Sequence, residues 1–255
     1  MSTSEKVIVR IEDGVMTVVI NRPELRNAID REVSYAVCAA MDELDHRADL
    51  RVGVLTGAGG TFCSGMDLKG FLAGERPHIP GRGFAGLTEA PPRKPLIAAV
   101  DGYALAGGFE IALACDMIVA NVDSKFGIPE VKRGLAAAAG GLVRLPRQIP
   151  QRLAMELALT GDFISAARAY EMGLINRIVP GVALDGALEL AQAISANGPL
   201  AVGASKQVIR EQQDWSQADQ WAKQYELTAA VFTSNDAREG AAAFAQKRAP
   251  NWTGS

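Results

Sequence analysis

The sequence predicts an α/β protein, with an α/β core over residues 1–196 and a C-terminal helical segment over residues 197–255. In the first part, short apolar runs that are typical of buried strands alternate with helical stretches over short connections, which indicates parallel strands. From Gln151 onward, most apolar residues recur at helical spacing. The tripeptide Asn197-Gly198-Pro199 breaks that spacing and sets the boundary between the two parts.

Turn and capping residues predict the first elements. Two strand-like runs in residues 7–20 flank Asp13-Gly14, a dipeptide typical of a tight hairpin. Asp30 is the predicted N-cap of a helix that runs to about Asp45. Residues 74–93, which are rich in Gly, Pro and Arg, predict a mobile surface loop. Apolar runs predict buried strands at 51–56, 95–100 and 117–121, and a helix from the Gly107-Gly108 turn to Cys115-Asp116.

The later elements are mainly helices. Helical spacing predicts them at 153–159, 166–172, 184–196 and 200–232, with a strand-like run at 174–179. The C-terminal segment is amphipathic and too small to bury a core of its own. We therefore expect it to pack on the core or on another subunit.

Composition excludes several classes of protein. With 48% apolar and 22% charged residues, the chain has the balance of an ordinary globular protein able to bury a core. A net charge of -3 without a block of Lys or Arg argues against nucleic-acid binding, and no apolar run is long enough to span a bilayer. The first residues lack the basic start and apolar stretch of a signal peptide, so we expect a cytoplasmic protein.

The cysteines and histidines do not form a recognisable metal or disulfide pattern. Cys38, Cys63 and Cys115 are well separated and lack C-x-x-C spacing, so we expect them to be reduced and buried. His46 and His78 have no Cys or second His at ligand spacing. No metal site is predicted.

Two glutamates at turns are the most informative residues. Glu110 follows Gly107-Gly108-Phe109, Glu130 follows a Phe-Gly-Ile-Pro run, and the stretch between them at 111–120 is largely apolar. Carboxyl groups in apolar surroundings suit general acid/base work, because burial raises their pKa toward the working pH. The glycine turn at 107–108 and a second glycine-bearing loop at 61–68 offer backbone N–H groups for a developing oxyanion. The pattern predicts an enzyme that polarises a carbonyl and moves protons beside it.

Both glutamates also have a purely structural interpretation. Glu110 in the first turn of a helix would complement the helix dipole, and Glu130 would pair with Lys132 or Arg133. The glycines at 57–60 fit neither a dinucleotide fingerprint nor a Walker loop. Neither structural interpretation explains why both acids flank one apolar strand at two turns.

Five motifs in the same order make the chain similar to the crotonase (enoyl-CoA hydratase/isomerase) family. The resemblance covers almost the whole chain and implies a crotonase-like (ClpP/crotonase) ββα spiral core with a C-terminal helical trimerisation segment. It also implies an acyl-CoA thioester substrate, no separate cofactor, and a homotrimer that is commonly paired into a hexamer. The motifs that carry it are Asn21–Ala28, Phe62–Leu68, Asp101–Glu110, Phe126–Glu130 and Phe244–Arg248.

The resemblance assigns candidate roles. The backbone N–H groups of Met66 and Gly107 would form the oxyanion hole for the thioester carbonyl. Glu110 and Glu130 would be the acid and base, Glu110 acting on water and Glu130 on C2. The predicted acyl-CoA contacts are Arg26, Ser64, Met66, Asp67, Leu68, Gly107, Phe244 and Lys247, with Lys247 reaching the coenzyme A phosphate of a neighbouring subunit.

The presence of both glutamates favours an enoyl-CoA hydratase, which performs a reversible, syn-type addition of water to a trans-2-enoyl-CoA. Alternatives are a Δ3-Δ2 enoyl-CoA isomerase, a relative such as carnitinyl-CoA dehydratase, and a non-catalytic acyl-CoA-binding protein. The Ala-rich run 136–139 departs from many short-chain hydratases. The preferred acyl group therefore stays open.

Overall fold

The structure is a computed structural model that describes residues 6–255. Its main sheet is largely parallel and is covered by helices. The strands are β1 (Val7–Glu12), β2 (Val15–Ile20), β3 (Val52–Gly57), β4 (His78–Ile79), β5 (Gly83–Phe84), β6 (Leu96–Val100), β7 (Tyr103–Leu105), β8 (Met117–Asn121), β9 (Lys125–Gly127), β10 (Ile164–Ser165) and β11 (Arg177–Val179). The helices are α1 (Arg31–His46), α2 (Leu68–Leu72), α3 (Gly107–Ala114), α4 (Gly141–Gln148), α5 (Gln151–Thr160), α6 (Ala166–Glu171), α7 (Ala183–Ser195), α8 (Pro199–Glu211), α9 (Gln220–Thr233) and α10 (Asn235–Gln246). Short 3-10 turns lie at Pro23–Leu25, Pro129–Arg133 and Gln212–Asp214.

The main sheet has the strand order β1-β2-β3-β6-β8-β11. The predicted hairpin is confirmed, since β1 and β2 pair antiparallel, and every later neighbour in this sheet is parallel. All five residues of β6 are buried, as expected for a central strand covered on both faces. On one face, α7 presents three buried alanines, Ala183, Ala187 and Ala191, which belong to the same apolar cluster as the strands beneath them.

A second, three-stranded sheet positions the candidate site. In the order β10-β9-β7, strand β7 runs parallel to β9, so that Leu105 pairs with Gly127. The loop at 62–66 is attached to it by a bridge between Cys63 and Ala104. Because α3 begins two residues after β7, and the Pro129–Arg133 turn begins two residues after β9, this sheet brings both glutamate turns together.

Several predicted elements need correction. The segment 74–93 is not simply a surface loop, because Phe84, Ala85, Leu87 and Thr88 are buried and Gly86 lies against α1. The predicted helix 200–232 is two helices, α8 and α9, with a break between them. The strand predicted at 174–179 is shorter, covering Arg177–Val179. None of the helices in residues 6–255 is both long and apolar enough to cross a bilayer.

Candidate active site

Two backbone amides, one in the 62–68 loop and one at the start of α3, have no hydrogen-bond acceptor among the described residues. Neither the Met66 nor the Gly107 N–H donates a hydrogen bond to any residue that the structure describes. The two segments are in close contact, because a Cβ added to Gly65 would lie 3.1 Å from the Gly107 nitrogen. Gly65 also has a φ of 100°, which favours glycine. The sequence prediction placed the same two amides in an oxyanion hole.

The backbone at the start of α3 is strained. Ala106, the residue before Gly107, has φ 51° and ψ -130°, a conformation that L-residues rarely adopt. Such a residue costs on the order of 1–3 kcal/mol, and it persists only where the surrounding structure fixes it. Here the Ala106 N–H donates to the Gly127 carbonyl at 2.9 Å, which ties the start of α3 to the end of β9. A Cβ on Gly107 would lie 2.6 Å from the Phe84 ring, so this position has no room for a side chain.

Glu110 is almost completely buried, with 3% of its surface exposed. Its Oε1 accepts hydrogen bonds from the backbone N–H groups of Ala139 and Gly141, both at 2.8 Å. Burial raises the pKa of Glu110 to about 7, and the charge of Glu130 adds to this rise, whereas the two amides and Arg144 oppose it. A carboxyl group with this pKa is poised to exchange protons near neutral pH.

Glu130 lies in the Pro129–Arg133 turn. Its Oε2 is buried and has no hydrogen-bond partner among residues 6–255. Burial raises the pKa of Glu130, and the nearby charge of Arg133 partly opposes the shift. The alternative of an ion pair with Lys132 is wrong, since Lys132 pairs with Asp162 instead. A buried carboxyl oxygen without a partner in a native protein calls for a functional explanation.

The predicted acyl-CoA contacts divide into two groups. The first surrounds the 62–68 loop, where the Ser64 N–H donates to the carbonyl of exposed Arg26 at 3.0 Å. Asp67 caps α2 through the Lys69 and Gly70 amides, and Leu68, which begins that helix, is half-exposed. The second group lies on α10.

On α10, Phe244 is 87% exposed, and Lys247 ends the helix in a left-handed conformation. Lys247 makes no ion pair within the described part of the chain. Both side chains are therefore accessible to a molecule outside this chain.

The sequence pointed to neither Arg22 nor Arg144. Arg22 is buried and joins the loop to the N-cap of α1, donating to Asp67 at 2.9 Å and pairing with Asp30 at 3.4 Å. Arg144 donates to the Thr88 carbonyl from the first turn of α4. Only the position of Arg22 inside the Asn21–Ala28 motif, and the glycine pair that precedes Arg144, could have drawn attention to them.

Asp116 and the three cysteines have structural surroundings. Asp116 accepts from the Leu96 N–H and pairs with Lys206 at 2.6 Å, so it holds α8 against the core. Cys63 and Cys115 are buried as expected, and burial raises the pKa of the Cys63 thiol to about 12, whereas Cys38 is only half-buried. Among residues 6–255, no group of three His, Cys, Asp or Glu side chains is placed to hold a metal ion.

A large cavity of about 1200 Å³ lies beside the site, between α4, α8 and the end of α3. The residues that line it include Ala139 and Arg144, but not Glu110, Glu130, Met66 or Gly107. The amide that binds Glu110 thus forms part of the wall between the glutamates and this cavity.

Comparison with known proteins decides the family. The family model described as enoyl-CoA hydratase/isomerase matches residues 10–255. The chain belongs to this family. The crystal structure of enoyl-CoA hydratase EchA1 from Mycobacterium marinum has 57% sequence identity and a TM-score of 0.97, covering 99% of this chain and 100% of that chain. The predicted crotonase-like α/β fold is confirmed by this likeness.

Relatives within the enoyl-CoA hydratase/isomerase family carry more than one name. Enoyl-CoA hydratase EchA19 from Mycobacterium tuberculosis is 48% identical over 93% of this chain and 92% of its own length. A carnitinyl-CoA dehydratase from Proteus mirabilis is 38% identical over 98% of this chain and 99% of its own length. The structure of a carnitinyl-CoA hydratase from Mycobacterium avium has 41% identity and a TM-score of 0.79, covering 99% of this chain and 100% of that chain. Family membership alone therefore does not select one reaction.

Proposed function

We propose that this protein is an enoyl-CoA hydratase that adds water reversibly to a trans-2-enoyl-CoA and gives a 3-hydroxyacyl-CoA. The observation that carries the proposal is a pair of glutamates, Glu110 buried and Glu130 half-buried, together with two backbone amides that have no hydrogen-bond acceptor among the described residues. Glu110 has its pKa raised to about 7, and Glu130 has a raised pKa and an unpartnered oxygen. A reaction that needs one acid and one base at adjacent carbons uses both groups.

The amides account for the electrostatic part of the mechanism. As water adds at C3, negative charge develops on the thioester oxygen, which the Met66 and Gly107 N–H groups would bind. Gly107 is the first residue of α3, so the positive end of the helix dipole adds to the stabilisation. Each such donor typically contributes about 3–4 kcal/mol to transition-state stabilisation.

The glutamates account for proton movement. Glu110, when ionised, would orient and deprotonate the water that attacks C3, while protonated Glu130 would deliver a proton to C2. The roles exchange when the 3-hydroxyacyl-CoA is dehydrated. The reaction joins the elements of water to a double bond without net oxidation or reduction, so we expect it to need no redox cofactor.

A second candidate is the dehydration of carnitinyl-CoA, because the carnitinyl-CoA dehydratase and the carnitinyl-CoA hydratase compared above match nearly the whole chain. The same pair of acid and base would serve it. Carnitine carries a quaternary ammonium group, which proteins usually bind with aromatic rings or carboxylates. The run Ala136–Ala139 beside Glu110 supplies neither. This favours an uncharged acyl chain.

An absorbance assay tests the proposal. The protein is added to crotonoyl-CoA and to longer trans-2-enoyl-CoAs, and the loss of enoyl-thioester absorbance is followed. Carnitinyl-CoA is assayed in parallel, where dehydration would make enoyl-thioester absorbance appear. We expect fast hydration of at least one enoyl-CoA. Turnover of carnitinyl-CoA alone would select the second candidate. Double-bond migration without hydration would indicate an isomerase, and binding without turnover would indicate a non-catalytic protein.

Substitution of the glutamates tests the mechanism. We expect Glu110→Gln and Glu130→Gln each to reduce kcat at least about 100-fold with little change in acyl-CoA affinity. Because the two groups act as a unit, the double variant should be far less impaired than the product of the single effects. Near-normal turnover by Glu130→Gln would contradict the mechanism and assign the chain to a reaction that uses one acid.

A further inference from the structure

Arg144 is a largely buried cation whose surroundings the proposed mechanism does not explain. One guanidinium nitrogen, Nη2, donates to the Thr88 carbonyl, and no carboxylate of the described residues forms an ion pair with it. A charge that is taken out of water without a counterion is costly. Burial and the neighbouring Arg210 of α8 lower the pKa of Arg144, which shows how unfavourable this place is for a cation. The fold keeps it there nonetheless.

The other guanidinium nitrogen, Nη1, lies beside Gly140, between the two residues whose amides bind Glu110. Nη1 occupies the place that a Cβ on Gly140 would take, and the φ of 105° at Gly140 favours glycine there. The backbone N–H of Arg144 donates to the Gly140 carbonyl at 2.9 Å in the first turn of α4, which keeps the two residues close together. The next residue, Gly141, donates its own N–H to Glu110 at 2.8 Å. The Arg144 guanidinium thus packs against Gly140, the residue between the two amides that bind Glu110.

We propose that Arg144 is a positioning residue for Glu110, which fixes the Ala139 and Gly141 amides in place and directs an uncompensated positive charge toward the carboxylate. Its contact with Thr88 anchors this arrangement to the segment whose Phe84 ring packs on Gly107. One side chain therefore connects the support of the proposed base with the segment beside the proposed oxyanion hole. The proposal rests on the function proposed above.

The charges around Glu110 set the sign of the expected effect. Glu130 faces it from the Pro129–Arg133 turn and raises its pKa, and Arg144 faces it from α4 and lowers it. Arg144 in turn is faced by Arg210 from α8 and by Cys115 from α3. Burial and the charge of Glu130 both raise the pKa of Glu110, and Arg144 is the cation that lowers it. Without the Arg144 charge, the pKa of Glu110 should therefore rise further above 7. A smaller fraction of the base would then be ionised at neutral pH.

The test compares Arg144→Met, Arg144→Lys and Arg147→Met. Arg147 is the matched control, since it lies on the same helix and borders the same cavity but pairs with Asp214 at 2.9 Å. We expect Arg144→Met to move the acidic limb of the pH profile of kcat/KM for enoyl-CoA hydration upward by about half a pH unit or more, which lowers activity roughly threefold on that limb. Arg144→Lys should keep the wild-type midpoint, and Arg147→Met should leave the profile unchanged.

A second measurement separates this inference from the proposed function. The carboxyl carbon of Glu110, assigned by its absence in Glu110→Gln, is titrated by ¹³C NMR in protein labelled at glutamate. A raised midpoint in Arg144→Met supports the inference even where the wild type hydrates no enoyl-CoA tested. Hydration by the wild type, with a uniform loss at all pH values and an unmoved Glu110 titration in Arg144→Met, would overturn it. If Arg144→Met fails to fold, a shifted midpoint in Arg144→Lys would overturn it equally, because the charge is retained.

Discussion

At the scale of single residues, Glu110 links the proposed chemistry to the stability of the fold. Its pKa rises from 4.5 to about 7 mainly because the carboxyl is buried. Between these two pH values the folded protein holds a proton that the unfolded chain has released. The stabilisation from this group is therefore complete below pH 4.5 and is lost as the pH rises through 7. Ionisation of Glu110 in the folded protein therefore lowers the free energy of unfolding.

This linkage predicts a pH-dependent gain in stability for Glu110→Gln. A glutamine oxygen can accept the same two amide hydrogen bonds, and glutamine does not ionise. Relative to wild type, the free energy of unfolding of the variant should rise by about 3 kcal/mol between pH 4.5 and pH 7.5. Urea unfolding at a series of pH values measures this difference. Glu156→Gln, at an exposed position on α5, is the control for replacing a carboxylate by an amide at the surface. A pH-dependent gain for Glu110→Gln no larger than that of the control would contradict the prediction.

At the scale of elements, the contact between the 62–68 loop and α3 depends on Gly108 as well as on Gly65. A Cβ on Gly108 would overlap the Cys63 carbonyl oxygen, which itself accepts a hydrogen bond from the Leu105 N–H at 3.0 Å. Backbone cannot move aside as the end of a flexible side chain can. The geometry of the two proposed oxyanion amides thus depends on the absence of a side chain at this position.

We therefore predict opposite effects for two Gly→Ala substitutions in helices. Gly108→Ala should destabilise the protein by about 1–3 kcal/mol and lower kcat, because it separates the loop from α3. Gly203→Ala, in α8, meets no atom within 4 Å and should be neutral or stabilising by up to about 1 kcal/mol. Thermal unfolding and the hydration assay measure both. Equal stability of the two variants would show that the loop and α3 are not in tight contact.

The elements differ in how far the sequence could predict them. The hairpin at Asp13-Gly14 and the Asp30 cap of α1 were predictable because both depend on residues close in sequence. The amides that bind Glu110 were not, since Ala139 and Gly141 lie about thirty residues away and act through their backbone. The burial of Phe84 was also not predicted. Glycines at 81, 83 and 86 are typical of a surface loop, whereas the contacts that bury this segment are with residues distant in sequence.

At the scale of the whole molecule, the C-terminal helices bury few residues against the chain. No residue of α8 or α9 is buried, and α9 exposes a row of aromatic side chains at helical spacing, namely Trp221, Tyr225 and Phe232. Exposed apolar patches of this kind mark interaction surfaces. The predicted homotrimer, or a hexamer of two trimers, would cover them. It would also bring Phe244 and Lys247 of one subunit to the acyl-CoA of its neighbour.

The assembly is tested by placing a charge in that row. Phe232 is 81% exposed, and we expect Phe232→Glu to dissociate the oligomer, because its partner surface would have to desolvate a carboxylate. Ala230→Glu is the matched control, since two residues along a helix point to opposite faces, and it should assemble normally. Size-exclusion chromatography with light scattering should give about three or six times the 26.9 kDa chain mass for wild type and the control. A monomeric wild type would contradict the prediction.

A dissociated Phe232→Glu should also show a raised KM for enoyl-CoA, because Lys247 would no longer reach a neighbouring site.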